Sequence, residues 1–258
     1  MNRRILHTVI LITACFYFAH AQERWEDFEV SGIRFEGNET FRDDALLAVM
    51  RTKETPSGFW KFLYKISEKL GERPEYIDRV QFAQDYARLK SFYIDQGFFS
   101  SRIDTLLRTD FGRRTMSLTF LVHEGQRSTI DSIQYVGFDA LPPSLIEEIE
   151  SRPLIEVGEP FIAEHVINER ARIVNAFFNN GFADVRVDSV VAHRYTSTNN
   201  ITVNFALSPG KRYLFGGIAV RQDALAPERV DEEVIRRHLD FKEGDFYSEA
   251  KRVDSERN

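Results

Sequence analysis

The chain has 258 residues, 43% hydrophobic and 29% charged, with a formal net charge of −6 and one cysteine. That is the composition of folded material, and the length allows one to three domains. An acidic balance excludes a basic nucleic-acid footprint, and a single thiol excludes an internal disulfide framework or a cysteine-built metal centre.

The first residues, "MNRRILHTVILITACFYFAHAQ", read as an export segment over 1–21. Arg3 and Arg4 precede an apolar run, and Ala19-His20-Ala21 supplies the small-residue cleavage site. The run is too short to span a bilayer comfortably. A second reading stays open: "ITAC" has the form of a lipoprotein signal, with Cys15 as the lipidated residue. Cleavage after Ala21 leaves a mature chain of charge −8, because Arg3 and Arg4 are lost and no acid is. That chain has no cysteine, in an oxidising compartment where disulfides are permitted.

Next comes a strand with Ile33, "FEVSGIRFEGN", closed by Gly37. In "TFRDDALLAVM", Thr40 with Asp43 three residues on is a capping-box variant opening a short helix. An insertion over about 54–78 follows. Its "SGFWKFLYKISEKLGERP" puts Phe59, Phe62, Leu63, Ile66 and Leu70 on one helical face and Lys61, Lys65 and Lys69 on another. Ser57 can cap it and Gly71 stop it. With Trp60 and Tyr64, this pattern fits a helix lying in a membrane interface or on a partner groove. The alternative is a helix packed on the first domain's own core with solvated lysines. A longer helix then carries Phe82, Tyr86, Leu89 and Tyr93 on one face, and Gly97 ends it in a left-handed conformation. Two strands over about 99–109 and 115–123, joined by "DFGRR", form a hairpin.

The series then recurs. "TIDSIQYVG" holds Ile133 and ends at Gly137. "LPPSLIEEIE" opens a helix with proline and acids in the first turn. Val166, Ile173 and Phe177 line a second helix that stops at Gly181, and a hairpin covers about 184–194 and 201–207. "YIDQGFFSSRID" and "FFNNGFADVRVD" are the same passage written twice, and Gly125 and Gly210 lie 85 residues apart. Ile218 in "LFGGIAVRQ" and the helix of "APERVDEEVIRRHL" begin a third copy, with Gln222 where the other copies have glycine. Its helix-stop glycine would fall about eight residues beyond Asn258. The repeat is β-α-α-β-β, which makes an α+β fold with a three-stranded mixed sheet and two helices on one face. The expected domains are 28–126, 127–211 and an interrupted 212–258, so the chain reads as a fragment.

This order resembles the POTRA (polypeptide-transport-associated) domains of the BamA/TamA-type outer-membrane-protein assembly superfamily. "IRFEGNETF", "LKSFYIDQGFFSSRID", "LVHEGQRSTIDSIQYVGFDAL", "FFNNGFADVRVD" and "LSPGKRYLFGGI" carry the likeness, across about residues 28–258. The resemblance implies a non-enzymatic periplasmic arm, attached to the outer membrane of a Gram-negative bacterium through a C-terminal barrel that these 258 residues do not contain. It implies unfolded outer-membrane proteins as clients and periplasmic assembly factors or chaperones as partners. It also places the client on the first strand of each closing hairpin, at Ser101–Leu107 and Asp184–Val190. The named residues are Ser101, Arg102, Ile103, Asp104, Asp184, Val185, Arg186, Val187 and Asp188. An open sheet edge can take an extended peptide as an added strand, yet Arg102, Asp104, Arg186 and Asp188 also suit protection of an edge against aggregation. Two other functions stay open: a two-partner secretion transporter, or a periplasmic or cell-division scaffold.

Nothing in the chain spells catalysis. His123, His165, His193 and His238 are not at metal-ligand spacing. There is no nucleophile elbow, phosphate loop or dinucleotide fingerprint, and no cofactor is expected. Arg127 and Arg212 recur after the glycine turns, either bridging neighbouring domains or solvated.

Overall fold

The computed structural model describes residues 25–56, 58–67, 69, 71–221 and 231–257. Cys15, Ala19 and Ala21 of the expected export segment, Ser57, Leu70 and Gln222 lie outside the described residues. The chain divides into two compact units, one of residues up to Ile94 with Ser100–Gly125, the other of Asp95–Phe99 with Gln126 onward.

The first unit holds β1 (Glu29–Glu36), α1 (Asp43–Val49), α2 (Gly58–Ile66), α3 (Arg79–Asp95), β2 (Arg102–Asp110) and β3 (Thr115–His123). Its sheet order is β1-β3-β2. The middle strand alternates strictly, burying Met116, Leu118, Phe120 and Val122. It pairs parallel with β1 and antiparallel with β2. A parallel pair cannot be closed by a tight turn, so the β1-to-β3 connection carries the helices, which add Leu46, Leu89 and Tyr93 to the core.

The second unit repeats this with β4 (Thr129–Val136), α4 (Pro143–Ser151), α5 (Ala163–Asn179), β5 (Arg186–Tyr195) and β6 (Asn200–Ser208), in sheet order β4-β6-β5. Its core gathers Ile130, Leu145, Ile149, Val166, Ile173, Phe177, Ile201, Val203 and Phe205. Two further helices, α6 (Glu232–Arg237) and α7 (Glu249–Arg257), follow. The strand expected around Ile218 is irregular backbone with one isolated bridge, Leu214 to Phe246. In the other copies that strand pairs with the closing strand of a hairpin, and no such hairpin follows it among the described residues.

Three local expectations are corrected. Thr40 does not cap α1: its amide and hydroxyl both bond the Glu124 carboxylate, and Arg42 precedes the helix without a side-chain cap. Tyr86 is exposed, and the buried position on that turn of α3 belongs to Asp85. No acid stands in the first turn of α4, although Pro143 opens it.

Gly37 and Gly137 end their strands with φ of 82° and 92°. Each lies against the middle strand, where a Cβ would strike the carbonyl oxygen of Val122 or Leu207. Gly158 has the same φ as Gly137, but a Cβ there meets nothing within 4 Å. Gly158→Ala is therefore expected to cost about 1 kcal/mol, the left-handed strain alone. Gly137→Ala, which adds the collision, is expected to cost about 3 kcal/mol or more. Urea unfolding of the two variants side by side measures the difference.

Candidate functional site

Each sheet has two edges, and they are treated differently. On the outer side of β1, the Val30 amide donates to Glu75 O at 2.9 Å and the Ile77 amide to Phe28 O at 3.0 Å. On β4, Ile130 N donates to Glu159 O at 2.8 Å and Phe161 N to Ser128 O at 2.9 Å. Residues 213–247 make the same kind of pairing, with Phe215 N to Asp245 O at 2.8 Å and Tyr247 N to Tyr213 O at 3.0 Å. In both sheets the segment ahead of the long helix folds back to cover the start of the first strand.

The opposite edges, β2 and β5, end their sheets with no further strand beside them among the described residues. Arg102, Ile103 and Asp104 lie in β2, as do Arg186, Val187 and Asp188 in β5. Ser101, Asp184 and Val185 precede the strands. Ser101 is buried and its carbonyl and hydroxyl accept from Lys90 Nζ. The Asp184 carboxylate accepts from the Tyr213 hydroxyl. These side chains fix the entry to the strand and do not line its edge.

The two edges also differ from each other. β2 pairs with β3 through nine consecutive residues without a register shift. β5 is broken between Val187 and Ser189, and Asp188 there takes a hydrogen bond from Ser208 Oγ at 2.6 Å. A bulge bends an edge and blunts it as a template. On the solvent face of β2, Leu106 is 46% exposed between Asp104 and Arg108.

The helix α2 stands apart. It fully buries none of its residues, and Leu63 and Tyr64 are half-buried while Lys65 is exposed. It ends at Ile66, and Gly71 instead passes against the backbone of Trp60 and Tyr64, where a side chain has no room. Lys61 pairs with Glu29 of β1.

Two repeated devices escaped the sequence analysis in part or whole. Arg127 Nε donates to Gln96 O at 2.8 Å, with its guanidinium over the Phe98 ring, while Ser128 N donates to Gly97 O at 2.9 Å. Arg212 Nε donates to Asn180 O at 2.9 Å, over Phe182, while Tyr213 N donates to Gly181 O at 2.7 Å. The recurring arginines thus clasp the Gly-Phe turns. The second device is a buried carboxylate. Asp85 takes the amides of Arg51 and Thr52, just past the end of α1, each at 2.8 Å, and pairs with Arg88. Glu169 takes the amide of Leu154, past the end of α4, at 2.9 Å and holds Arg172 with both oxygens. Each acid lies twelve residues before its helix-stop glycine with an arginine three further on, a spacing that could have revealed it.

Burial by itself raises the Asp85 pKa, but hydrogen bonds from the Thr52 hydroxyl, the two amides and Arg88 outweigh it and hold the carboxyl below its ordinary value. The folded pKa lies below the unfolded one. The stabilisation is therefore complete above about pH 4 and is lost as pH falls through the folded value. Asp85→Asn is expected to cost about 3 kcal/mol near neutrality, with the gap to the parent narrowing under acid. Urea midpoints from about pH 7 to about pH 3 test both parts.

The family model for POTRA, described as a surface antigen variable number repeat, matches residues 28–125. The outer membrane protein assembly factor BamA of Neisseria meningitidis is 24% identical over 226 residues, covering 86% of this chain and 26% of that protein. BamA of Neorickettsia risticii is 23% identical over 228 residues, covering 88% and 28%. The chain thus spans about a quarter of the length of these relatives. Among solved structures, POTRA domains 3–5 of Haemophilus influenzae BamA align at 14% identity with a TM-score of 0.46, covering 88% of this chain and 83% of that one. The family match thus identifies a POTRA domain over residues 28–125, and the second unit repeats the strand order of the first.

Proposed function

We propose that this chain is the periplasmic POTRA region of an outer-membrane-protein assembly factor, and that it receives unfolded outer-membrane proteins by strand addition along β2. The POTRA match over residues 28–125, the assembly-factor names of the relatives and the export-signal pattern in the sequence of residues 1–21 support the setting. The observation that carries the mechanism is the asymmetry of the edges. β1 has its outer amides and carbonyls partly taken by the chain's own backbone, whereas β2 is regular, nine residues long and uncovered among the described residues. Backbone pairing is indifferent to client sequence, and alternate side chains add only modest selectivity. One added strand buries little area, so the contact is weak and reversible, on the order of μM to mM. That suits transfer of a client onward without an energy source. Edge protection by charge remains the better description of β5, where the bulge at Asp188 interrupts the template.

A photo-crosslinking residue at Leu106 is expected to capture an unfolded outer-membrane barrel protein. The same probe at Ser31, exposed on β1 beside the covered Val30, is expected to capture little, and at Val191 on β5 an intermediate amount. Equal capture at Leu106 and Ser31 in folded protein would overturn the strand-addition reading and leave the POTRA match standing.

A further inference from the structure

The helix α2 is amphipathic in the wrong sense for a helix that serves the fold. A surface helix turns its apolar stripe to the core and its charges to water. Here Phe59 is 64% exposed, Phe62 59% and Ile66 61%, at the i, i+3 and i+7 positions of one face. Lys61, from the polar side, is the residue tied to the domain, through Glu29. Trp60 is also exposed and packs edge-on against Phe59. Leu63 and Tyr64 are half-buried, so the helix rests on its flank while the stripe of Phe59, Phe62 and Ile66 faces solvent.

We propose that α2 seats on the surface of a lipid bilayer carrying anionic headgroups. Charge selects this occupant. Residues 58–73 hold Lys61, Lys65, Lys69 and Arg73 against Glu68 and Glu72, a local excess of two positive charges in a chain of net −6. Phenylalanine, tryptophan and isoleucine on one face with lysines beside them is the composition that settles at the headgroup boundary, where the aromatic rings enter and the ammonium groups meet phosphate. Nine residues rise about 14 Å, far less than a bilayer core, so the helix lies in the interface and does not cross it. The inference is independent of strand addition at β2: it concerns another segment, and either can fail alone.

The chain has two tryptophans, Trp25 and Trp60. In a Trp25→Phe variant of the full chain, Trp60 alone reports on α2, so attachment through another part of the molecule leaves the signal unmoved. Vesicles of phosphatidylethanolamine with phosphatidylglycerol are expected to shift its emission to the blue, and lipids brominated on the acyl chain to quench it. Phosphatidylcholine vesicles are expected to give a much weaker shift. Phe62→Ser with Ile66→Ser should weaken the binding about tenfold or more. Lys65→Glu and Lys69→Glu, at exposed positions that leave the fold alone, should weaken it about fivefold each, with circular dichroism confirming folded protein. Emission that anionic vesicles do not move overturns the proposal, as does a shift that all these variants retain. Self-association that the serine variants dissolve, seen by sedimentation without vesicle binding, gives the face to a second copy and overturns it as well.

Discussion

A middle strand that pairs parallel on one side and antiparallel on the other is the constraint from which each unit follows. The antiparallel partner can be reached through a short hairpin, which is why β2–β3 and β5–β6 are joined by tight polar turns with Arg114 and Asn199 in the left-handed region. The parallel partner cannot, so a long connection must leave the sheet and return. That connection brings the helices against one face, where β3 and β6 bury alternate residues. A sheet of three strands built this way has one edge near the returning chain and one edge away from it. The returning chain covers the first and leaves the second, and the proposed client strand is a consequence of that geometry.

The helices are held to the sheet by small polar devices as much as by apolar packing. A buried carboxylate in an apolar core is costly unless its oxygens are fully engaged. Asp85 and Glu169 are engaged, by backbone amides freed at the end of the preceding helix and by an arginine on the next turn. They set how the short helix joins the long one. The arginine clasps act at the other end of the long helix, where the glycine carbonyl and the carbonyl before it would otherwise lack intrahelical partners. Glycine is required there because φ is 88° at Gly97 and 97° at Gly181, and because a Cβ at Gly97 would lie 2.7 Å from Phe161 O.

Against this economy α2 is an exception. It lies in an insertion of the first copy, contributes no buried residue and shows its largest apolar side chains to solvent. Its sequence pattern was legible as amphipathic, and its lysines were equally legible. Which face would meet the domain was not, because both orientations place the same residues on the same helix.

The repeat itself was readable from sequence because the features that define it are local. A helix stop needs left-handed backbone, which points to glycine at 97 and 181. A half-buried strand needs alternation, which is plain in "TMSLTFLVH" and "VRVDSVV". Copying these at one period determined the α+β class and the order β-α-α-β-β. The bounds of β2 and β5, the exposure of Tyr86 and the role of Thr40 were misplaced, because each depends on a partner distant in sequence, such as Glu124 for Thr40. Tertiary structure alone decided which strand is central, which edge the chain covers, that β5 bulges at Asp188 where β2 does not, and that the stripe of Phe59, Phe62 and Ile66 on α2 faces solvent. Those outcomes rest on pairing and burial between segments tens of residues apart, and local propensity carries no information about such partners.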